Sequence, residues 1–255
     1  MTSFALRIVA MLLMVIDHAG YLLFDNNTVM RMIGRLSFPI FCFLIAEGLS
    51  HTKSLKKYLL RLALFAAVSE IPYDLVFHKT AFYQESSNVF FTLLLGLAAA
   101  AVIKKSEKLH IALRALLGAA AVVLCSFAAE WICCDYKSYG VLAIVLFYLF
   151  RENRVLALAS FSALTLYRYG VKDMSTQIFE QFYASGALKE TVLFVLLKGA
   201  KTTYYFGTAI QSLAVLSSAI IALYNKERGS KRLKWAFYLF YPAHLMVLWG
   251  IYLML

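Results

Sequence analysis

The sequence predicts an all-α, polytopic integral membrane bundle, on the strength of its composition, its long apolar segments and the spacing of its basic residues. Of 255 residues, 62% are hydrophobic and 15% are charged, whereas soluble domains carry about 45–50% apolar and about 25% charged residues. A membrane span is a helix or a strand of a closed barrel, and apolar runs without two-residue alternation favour helices. We expect a single domain covering residues 1–255.

The apolar segments predict about nine transmembrane helices, within a range of about eight to ten, because crossing about 30 Å of hydrocarbon takes ~20 helical residues. The predicted spans are Phe4–Phe24, Ile33–Leu49, Tyr58–Phe77, Asn88–Ile103, Ile111–Ala129, Tyr139–Phe150, Val155–Tyr169, Tyr204–Tyr224 and Trp235–Leu255. The sixth is short. In the third, the ring of Pro72 is expected to disrupt the helix.

The basic residues lie mostly in alternate loops. The formal net charge is +11, but its pattern is that of a membrane protein and predicts no nucleic-acid partner. One set of loops holds Lys53, Lys56, Lys57 and Arg61, then Lys104, Lys105, Lys108 and Arg114, then Arg151 and Arg154, then Lys226, Arg228, Lys231, Arg232 and Lys234. The other set holds Asp25, Glu85, Glu130 and Asp135. The positive-inside rule therefore places the N-terminus in the cytoplasm and the C-terminus outside.

One segment, Gly170–Thr203, mixes apolar residues with lysines and fits neither a loop nor a span. An amphipathic or re-entrant helical segment on the outer face fits it best. The four cysteines form no recognisable disulfide framework, and the five histidines form no two-histidine motif at ligand spacing. No metal site is expected.

The first predicted helix carries three ionisable residues, Arg7, Asp17 and His18. Such residues within a span usually face the bundle interior or a water-filled cavity. Arg7 and His18 lie about 20° apart around the helix and about 16 Å apart along it. The imidazole of His18 titrates near neutrality and can act as a general base. The alternative is that Arg7 is a snorkelling anchor and His18 a hydrogen-bonded core residue.

Asp17 and two arginines form a second group of candidates. Asp17 is expected either to hold the tautomer of a histidine on another helix or to lie in the headgroup region. Arg31 and Arg35 are one helical turn apart and share a face at the outer end of the second span. They are candidates for gripping an acidic acceptor, or for pairing with Asp17 or Asp25.

Two carboxylates and a second histidine complete the candidates. Glu70 and Asp74 lie four residues apart on one face of the third span. They are candidates for orienting His18, for binding an amine acceptor, or for pairing with Arg31 or Arg35. His244 follows Pro242 in the last span, where a purely structural role and a supporting role at the site are both open.

Several stretches resemble a known family. Residues 7–20, Arg-Ile-Val-Ala-Met-Leu-Leu-Met-Val-Ile-Asp-His-Ala-Gly, resemble the first helix of the transmembrane acyltransferase superfamily, the acyltransferase type 3 proteins and their relatives. Its hallmark is a basic residue, about ten intervening residues and a catalytic histidine. The chain is more specifically similar to the TraX family, known for pilin acetylation in conjugative transfer. Further similarity lies in Gly34–Leu49, Ser69–Leu75, Asn88–Leu97 and Phe237–Leu245.

The resemblance implies a membrane-embedded acetyltransferase in the bacterial inner membrane. Its donor would be cytoplasmic acetyl-CoA or another acyl-CoA, and its acceptor a protein such as pilin, a glycan or a lipid. His18 is expected to be catalytic together with Asp17 and Arg7. Arg7 would also hold the donor, together with a basic cluster, Lys56, Lys57 and Arg61. This cluster occupies the place where the acyltransferase type 3 proteins carry paired arginines, but at a different spacing.

Two other functions fit the same polar axis. A proton-coupled transporter would use it as a relay, and inverted repeats with broken helices would indicate that class; the sequence shows no such symmetry. A non-catalytic assembly factor of a pilus or envelope complex would use the bundle only as a scaffold.

Overall fold

The structure, a computed structural model, describes residues 1–171, 210–229 and 234–255. Within these ranges the backbone is helical, and an isolated bridge between Ser87 and Cys134 is the only β-type pairing. The predicted outer-face segment Gly170–Thr203 lies outside the described residues except for its first two positions. The first part of the predicted span Tyr204–Tyr224 also lies outside them.

Ten α-helices are described here. They are α1 Ser3–Leu22, α2 Thr28–Gly34, α3 Ser37–His51, α4 Leu55–His78, α5 Val89–Ser106, α6 Ile111–Trp131, α7 Lys137–Leu149, α8 Arg154–Leu166, α9 Ser217–Ala222 and α10 Lys234–Tyr252. A π-helical turn, Tyr167–Val171, follows α8, and a 3₁₀ turn, Leu213–Leu216, precedes α9.

Four of the described segments are long and apolar enough to cross a membrane: Ser3–Leu22, Thr28–His51, Val89–Ser106 and Ile111–Trp131. This confirms an all-helical membrane protein. The count of about nine spans stays a prediction. The second predicted span begins earlier than expected, at Thr28, and is divided into α2 and α3.

Polar caps set the beginnings of most helices. The side chains of the N-cap residues accept hydrogen bonds from backbone N–H groups of the first turn, as at Thr2, Asn27, Ser54, Asn88, His110 and Asn153. Each cap satisfies a donor that has no partner within its own helix. Pro39 lies in the first turn of α3, where its missing N–H removes no helical bond.

The expected break at Pro72 does not occur, and α4 continues through it from Leu55 to His78. Proline removes one backbone hydrogen bond, but membrane helices tolerate this because neighbouring helices hold the segment in place. Here α4 packs against both α5 and α10. The prediction of a disrupted helix was therefore wrong.

The core of the bundle lies between α3, α5, α7 and α8. Helix α5 packs against α4, α6 and α7, and α7 also packs against α3 and α8. The fully buried side chains include Leu97, Ile144, Phe147 and Phe161. Helix α6 lies at the periphery, and its few buried residues are glycine and alanine. Small residues let helix backbones approach closely where lipid supplies no hydrophobic drive.

The basic loops meet at one end of the bundle, called here the basic end. The N–H of Ser3 donates to the carbonyl of Glu227 at 2.8 Å, and the ammonium of Lys104 donates to the carbonyl of Leu49 at 2.7 Å. Arg154 donates to the carbonyl of Ala222 at 3.0 Å. The loops that the charge pattern assigned to one side thus lie together.

The acidic loops meet at the other end, called here the opposite end. The N–H of Ser87 donates to the carbonyl of Cys133 at 3.1 Å, and the hydroxyl of Tyr21 donates to the carbonyl of Phe77 at 3.1 Å. The two ends agree with the alternation expected from charge. Which end faces the cytoplasm stays a prediction.

Candidate functional site

A cavity of about 750 Å³ enters the bundle from the basic end, within the range of about 300–1,000 Å³ found for ligand pockets. Its mouth is lined by basic residues and its middle by apolar side chains such as Met14, Phe41 and Leu44. Its inner end is lined by Asp17, His18, Asp135, Tyr136 and Tyr241. We call this the first cavity.

Three basic residues predicted to hold a donor, Arg7, Lys57 and Arg61, line the mouth of the first cavity. The guanidinium of Arg7 lies 5.3 Å from the ring of Phe237, and that of Arg61 lies 5.8 Å from the ring of Tyr238. These cation–π contacts orient both groups. The fourth predicted residue, Lys56, is exposed and lies outside the lining of the cavity.

Three further basic residues at the mouth, Lys53, Lys226 and Arg228, were assigned only a topological role from the sequence. The last two lie on one loop. Their loop is tied to the N-terminus, where the N–H of Phe4 donates to the carbonyl of Arg228 at 3.2 Å. Gly229 has a φ of +70°, and a side chain there would bring a Cβ within 2.8 Å of Phe4. The fold therefore brings residues near position 228 to the mouth beside α1.

A carboxylate also lies among these cations. Glu47 accepts a hydrogen bond from the hydroxyl of Tyr224 at 2.8 Å and contacts the ring Nε2 of His51 at 2.9 Å. Glu47 lines the first cavity. The carboxylate is thus held by Tyr224 and His51, two side chains of its own end of the bundle.

The deepest feature is a pair of buried histidines, His18 on α1 and His244 on α10. The Nδ1 of His18 lies 2.8 Å from the Nε2 of His244, and the Nδ1 of His244 lies 2.9 Å from the carbonyl oxygen of Phe240. A carbonyl only accepts, so the Nδ1 of His244 carries that ring's proton and its Nε2 accepts from His18. The neutral pair therefore leaves the Nε2 of His18 with an unprotonated lone pair.

Aromatic side chains hold these rings in place. The two imidazoles lie nearly coplanar and edge to edge, with centroids 5.0 Å apart and an interplanar angle of 13°, as an N–H···N hydrogen bond in the ring plane requires. Phe77 meets His18 edge-on at 5.2 Å, and Tyr241 does so at 6.2 Å. His244 is thus the direct hydrogen-bond partner of His18, and its supporting role at a site stays a prediction.

Asp17 pairs with the two arginines and not with a histidine. Its Oδ1 lies 3.0 Å from Arg31 and 3.4 Å from Arg35, and Arg35 also donates to the amide oxygen of Gln211 at 3.1 Å. Gly34 allows this approach, because a Cβ at that position would collide with the Asp17 side chain. Of the alternatives open for Arg31 and Arg35, the structure shows pairing with Asp17.

Glu70 and Asp74 lie away from the first cavity, contrary to the roles considered for them. Glu70 accepts from the backbone N–H of Asn88 at 3.3 Å and from its side-chain amide. Asp74 accepts from the N–H of Tyr83 at 2.8 Å. The face of α4 that they share is turned towards residues 79–88, so they order that loop and contact neither His18 nor the arginines.

Asp135 and Tyr136, at the inner end of the first cavity, were missed because a loop between two helices carries no spacing signal. The ring of Tyr136 stacks on Phe38 with centroids 3.6 Å apart. Burial raises the pKa of Asp135 to about 6, against the opposing charge of Arg35. Tyr136 has a φ of +65°, a conformation that costs a non-glycine residue about 1–3 kcal/mol and often marks a ligand site.

Within residues 1–171, 210–229 and 234–255, no three His, Cys, Asp or Glu side chains lie close enough to share a metal ion. The side chains suited to a cofactor are the cations at the mouth, which match phosphate groups.

Fold and site together define a helical membrane protein in which a polar cavity joins a basic mouth to a buried histidine pair. The chain belongs to the TraX family, whose profile, described as TraX protein, matches residues 3–252. The family expected from the sequence is confirmed. The wider relation to the acyltransferase type 3 proteins stays a prediction.

Two relatives show how the similarity is distributed. The chain is 25% identical over 260 residues to the "Probable fimbrial assembly protein FimC, serogroup H1" of Dichelobacter nodosus, covering 97% of this chain and 94% of that protein. A shorter match, 47% identical over 38 residues and 15% of each chain, is to the "Uncharacterized protein RP591" of Rickettsia prowazekii (strain Madrid E). No solved structure matches significantly.

Proposed function

We propose that this protein is a membrane acyltransferase that moves an acetyl or other acyl group from an acyl-CoA to an acceptor protein, glycan or lipid. The observation that supports this is the first cavity, which joins a phosphate-compatible mouth to an imidazole with a free lone pair. The family and the fimbrial relative make pilin or another envelope component the first acceptor to test.

The donor would enter from the basic end, which the charge pattern places in the cytoplasm. The nucleotide of CoA carries several phosphate charges, and charge-assisted hydrogen bonds from Arg and Lys bind such groups. Arg7, Lys57 and Arg61, joined by Lys226 and Arg228, line the mouth. The flexible pantetheine arm would then run through the apolar middle of the cavity, about 16 Å along α1 from Arg7 to His18.

The chemistry would take place at the Nε2 of His18. This nitrogen takes the proton from the hydroxyl or amine of the acceptor while the acceptor's oxygen or nitrogen attacks the thioester carbonyl. The C–S bond then breaks, and the proton passes from His18 to the leaving thiolate, which yields acylated acceptor and free CoA. His244 accepts from the Nδ1–H of His18 throughout, so it stabilises the imidazolium that forms.

Asp17 would position the helix that carries His18 and would take no part in the reaction itself. Its ion pairs with Arg31 and Arg35 join α1 to the region where α2 meets α3, which fixes the depth and rotation of the helix that carries His18. Arg7 would stabilise negative charge on the donor.

The donor site is tested by charge removal with a matched control. Lys57→Gln/Arg61→Gln should weaken CoA binding at least about tenfold, since a hydrogen bond to a charged group contributes about 1.5–3 kcal/mol. Lys56→Gln, one residue away and outside the cavity lining, should change it less than about twofold. Calorimetry on the reconstituted protein at low and high salt measures both, and the difference should shrink at high salt because exposed charges are screened. Equal affinities would exclude the mouth as the phosphate site.

A second candidate is a non-catalytic assembly factor, favoured by the printed name of the fimbrial relative. Labelled acetyl-CoA incubated with the reconstituted protein separates the two. The acyltransferase binds CoA and transfers label in a manner that depends on His18. An assembly factor does neither, and His18→Gln leaves pilus assembly in cells unchanged.

A further inference from the structure

A second cavity of about 320 Å³ lies at the opposite end of the bundle. It is lined by Tyr73 of α4, by the 85–86 and 130–139 regions and by the π-helical turn that follows α8. The lining is polar, with three carboxylates, Glu85, Glu130 and Asp135, against two cations, Lys137 and Arg168, and with hydroxyls such as that of Ser138. Nearly balanced charge and many hydroxyls suit a hydrogen-bonding polar group. They do not suit an acyl chain or a polyphosphate.

The two cavities meet at one place. Among the described residues, Asp135 and Tyr136 alone line both. The ring of Tyr136 is stacked on Phe38, which lines the first cavity. Asp135 is anchored by its backbone, whose N–H donates to the carbonyl of Ser87 at 2.8 Å. These two residues therefore form a partition between the cavities.

The backbone of this partition is unusual. Cys133, Tyr136 and Lys137 have φ values of +47°, +65° and +44°, a region that non-glycine residues rarely adopt. Hydrogen bonds from the neighbouring loop hold Cys133 in place. Conformations of this kind persist only where surrounding contacts impose them, and they cluster at ligand sites.

We infer that the second cavity binds the acceptor, specifically its hydroxyl- or amine-bearing end, and that this end reaches the acyl group across the Asp135–Tyr136 partition. The inference rests on the proposed function. A donor that enters by the mouth fills the first cavity, so the acceptor needs a separate approach to His18. Asp135 lines both cavities, and a carboxylate accepts a hydrogen bond from either an O–H or an N–H group.

Cys133, which lines the second cavity, allows a direct test without mutation. A maleimide that carries a bulky sulfonated fluorophore should fill the cavity, whereas a methylthio adduct on the same sulfur should leave room. Hydroxylamine serves as acceptor because it offers both an O–H and an N–H. The bulky adduct should lower acetyl transfer from acetyl-CoA to hydroxylamine at least tenfold and leave CoA affinity within twofold.

The controls distinguish failure of the acceptor site from failure of the proposed function. The methylthio adduct should transfer at the untreated rate, and treatment with the fluorophore should leave the Cys133→Ser/Cys134→Ser variant at that variant's own untreated rate. Full transfer by protein that carries the bulky adduct overturns the acceptor site and leaves the proposed function standing. Untreated protein that neither binds CoA nor transfers overturns the proposed function itself.

The partition is tested by accessibility, which needs no acceptor. In a background with the four cysteines replaced by serine, Met14→Cys places a thiol inside the first cavity. An impermeant thiol reagent is added from the side of the membrane on which it labels Cys133 in the unmodified protein. In the cysteine-free background this reagent should reach position 14 only when Tyr136→Gly is also present. Glycine accepts the left-handed φ at 136. Phe82→Gly, at the same end but outside both cavities, is the control, and labelling that Tyr136→Gly does not increase overturns the partition.

Discussion

The histidine pair gives the sharpest prediction, because its hydrogen bonds fix the tautomer. The carbonyl of Phe240 holds the proton of His244 on Nδ1, and His244 in turn holds the proton of His18 on Nδ1. His244→Leu removes that acceptor from a buried donor. His18 is then more stable as the other tautomer. In that tautomer its Nε2 already carries a proton and cannot take one from the acyl acceptor.

The expected loss follows from the cost of a buried, unsatisfied donor, about 1–3 kcal/mol. This corresponds to a roughly 5- to 150-fold lower rate of transfer, since about 1.4 kcal/mol is tenfold. His244→Gln offers an amide oxygen in place of the imidazole nitrogen and should recover part of the rate. His18→Gln removes the base itself and should cost about 10²–10⁴-fold, or about 3–5 kcal/mol of barrier.

The assay is transfer from labelled acetyl-CoA in reconstituted vesicles, with CoA affinity measured on the same preparations. Affinity should stay within about twofold in these three variants, because the phosphates would bind at the mouth and not at the pair. Full turnover in His18→Gln would refute histidine chemistry altogether. Full turnover in His244→Leu together with loss in His18→Gln would refute only the tautomer argument.

Three further predictions concern stability and topology. Asp17→Asn leaves Arg31 and Arg35 without their counter-ion, so it should lower the free energy of unfolding by about 3–5 kcal/mol; unchanged thermal unfolding in detergent would contradict the ion pairs. Burial holds the pKa of Asp135 at about 6, above its unfolded value of about 3.9. The folded protein therefore disfavours the charged carboxylate, and its free energy of unfolding falls as the pH rises from about 4 through about 6. The thermal midpoint of Asp135→Asn should therefore exceed that of the unmodified protein at pH 8 and equal it near pH 4. In a cysteine-free background, an impermeant thiol reagent should label Lys105→Cys only from inside and Phe82→Cys only from outside; labelling of both from one side would contradict the topology.

Much of the fold could be read from the chain because it depends on local composition. The predicted first, third, fourth and fifth spans coincide with α1, α4, α5 and α6 to within a few residues at each end. An apolar run of sufficient length must be helical in hydrocarbon whatever surrounds it. The resemblance in residues 34–49, 69–75 and 88–97 likewise predicted the TraX family.

The chain alone did not determine the outcome at Pro72 or at the Glu70–Asp74 pair. Proline destabilises an isolated helix, but α5 and α10 pack against α4 and keep it continuous. The two carboxylates share a face, as expected, yet the rotation of α4 turns that face towards residues 79–88. Helical spacing shows which residues lie on one face and not what the face meets.

The sequence by itself determined that this is a helical membrane protein of the TraX family with a polar axis through Arg7 and His18. Only the tertiary structure decided that His18 pairs with His244, that Asp17 pairs with arginines, and that Asp135 and Tyr136 separate two cavities. The reason is sequence distance: His18 and His244 stand 226 positions apart, and no local periodicity encodes a contact of that kind. Such contacts arise from the rotation and depth at which whole helices pack, which depend on all their neighbours at once.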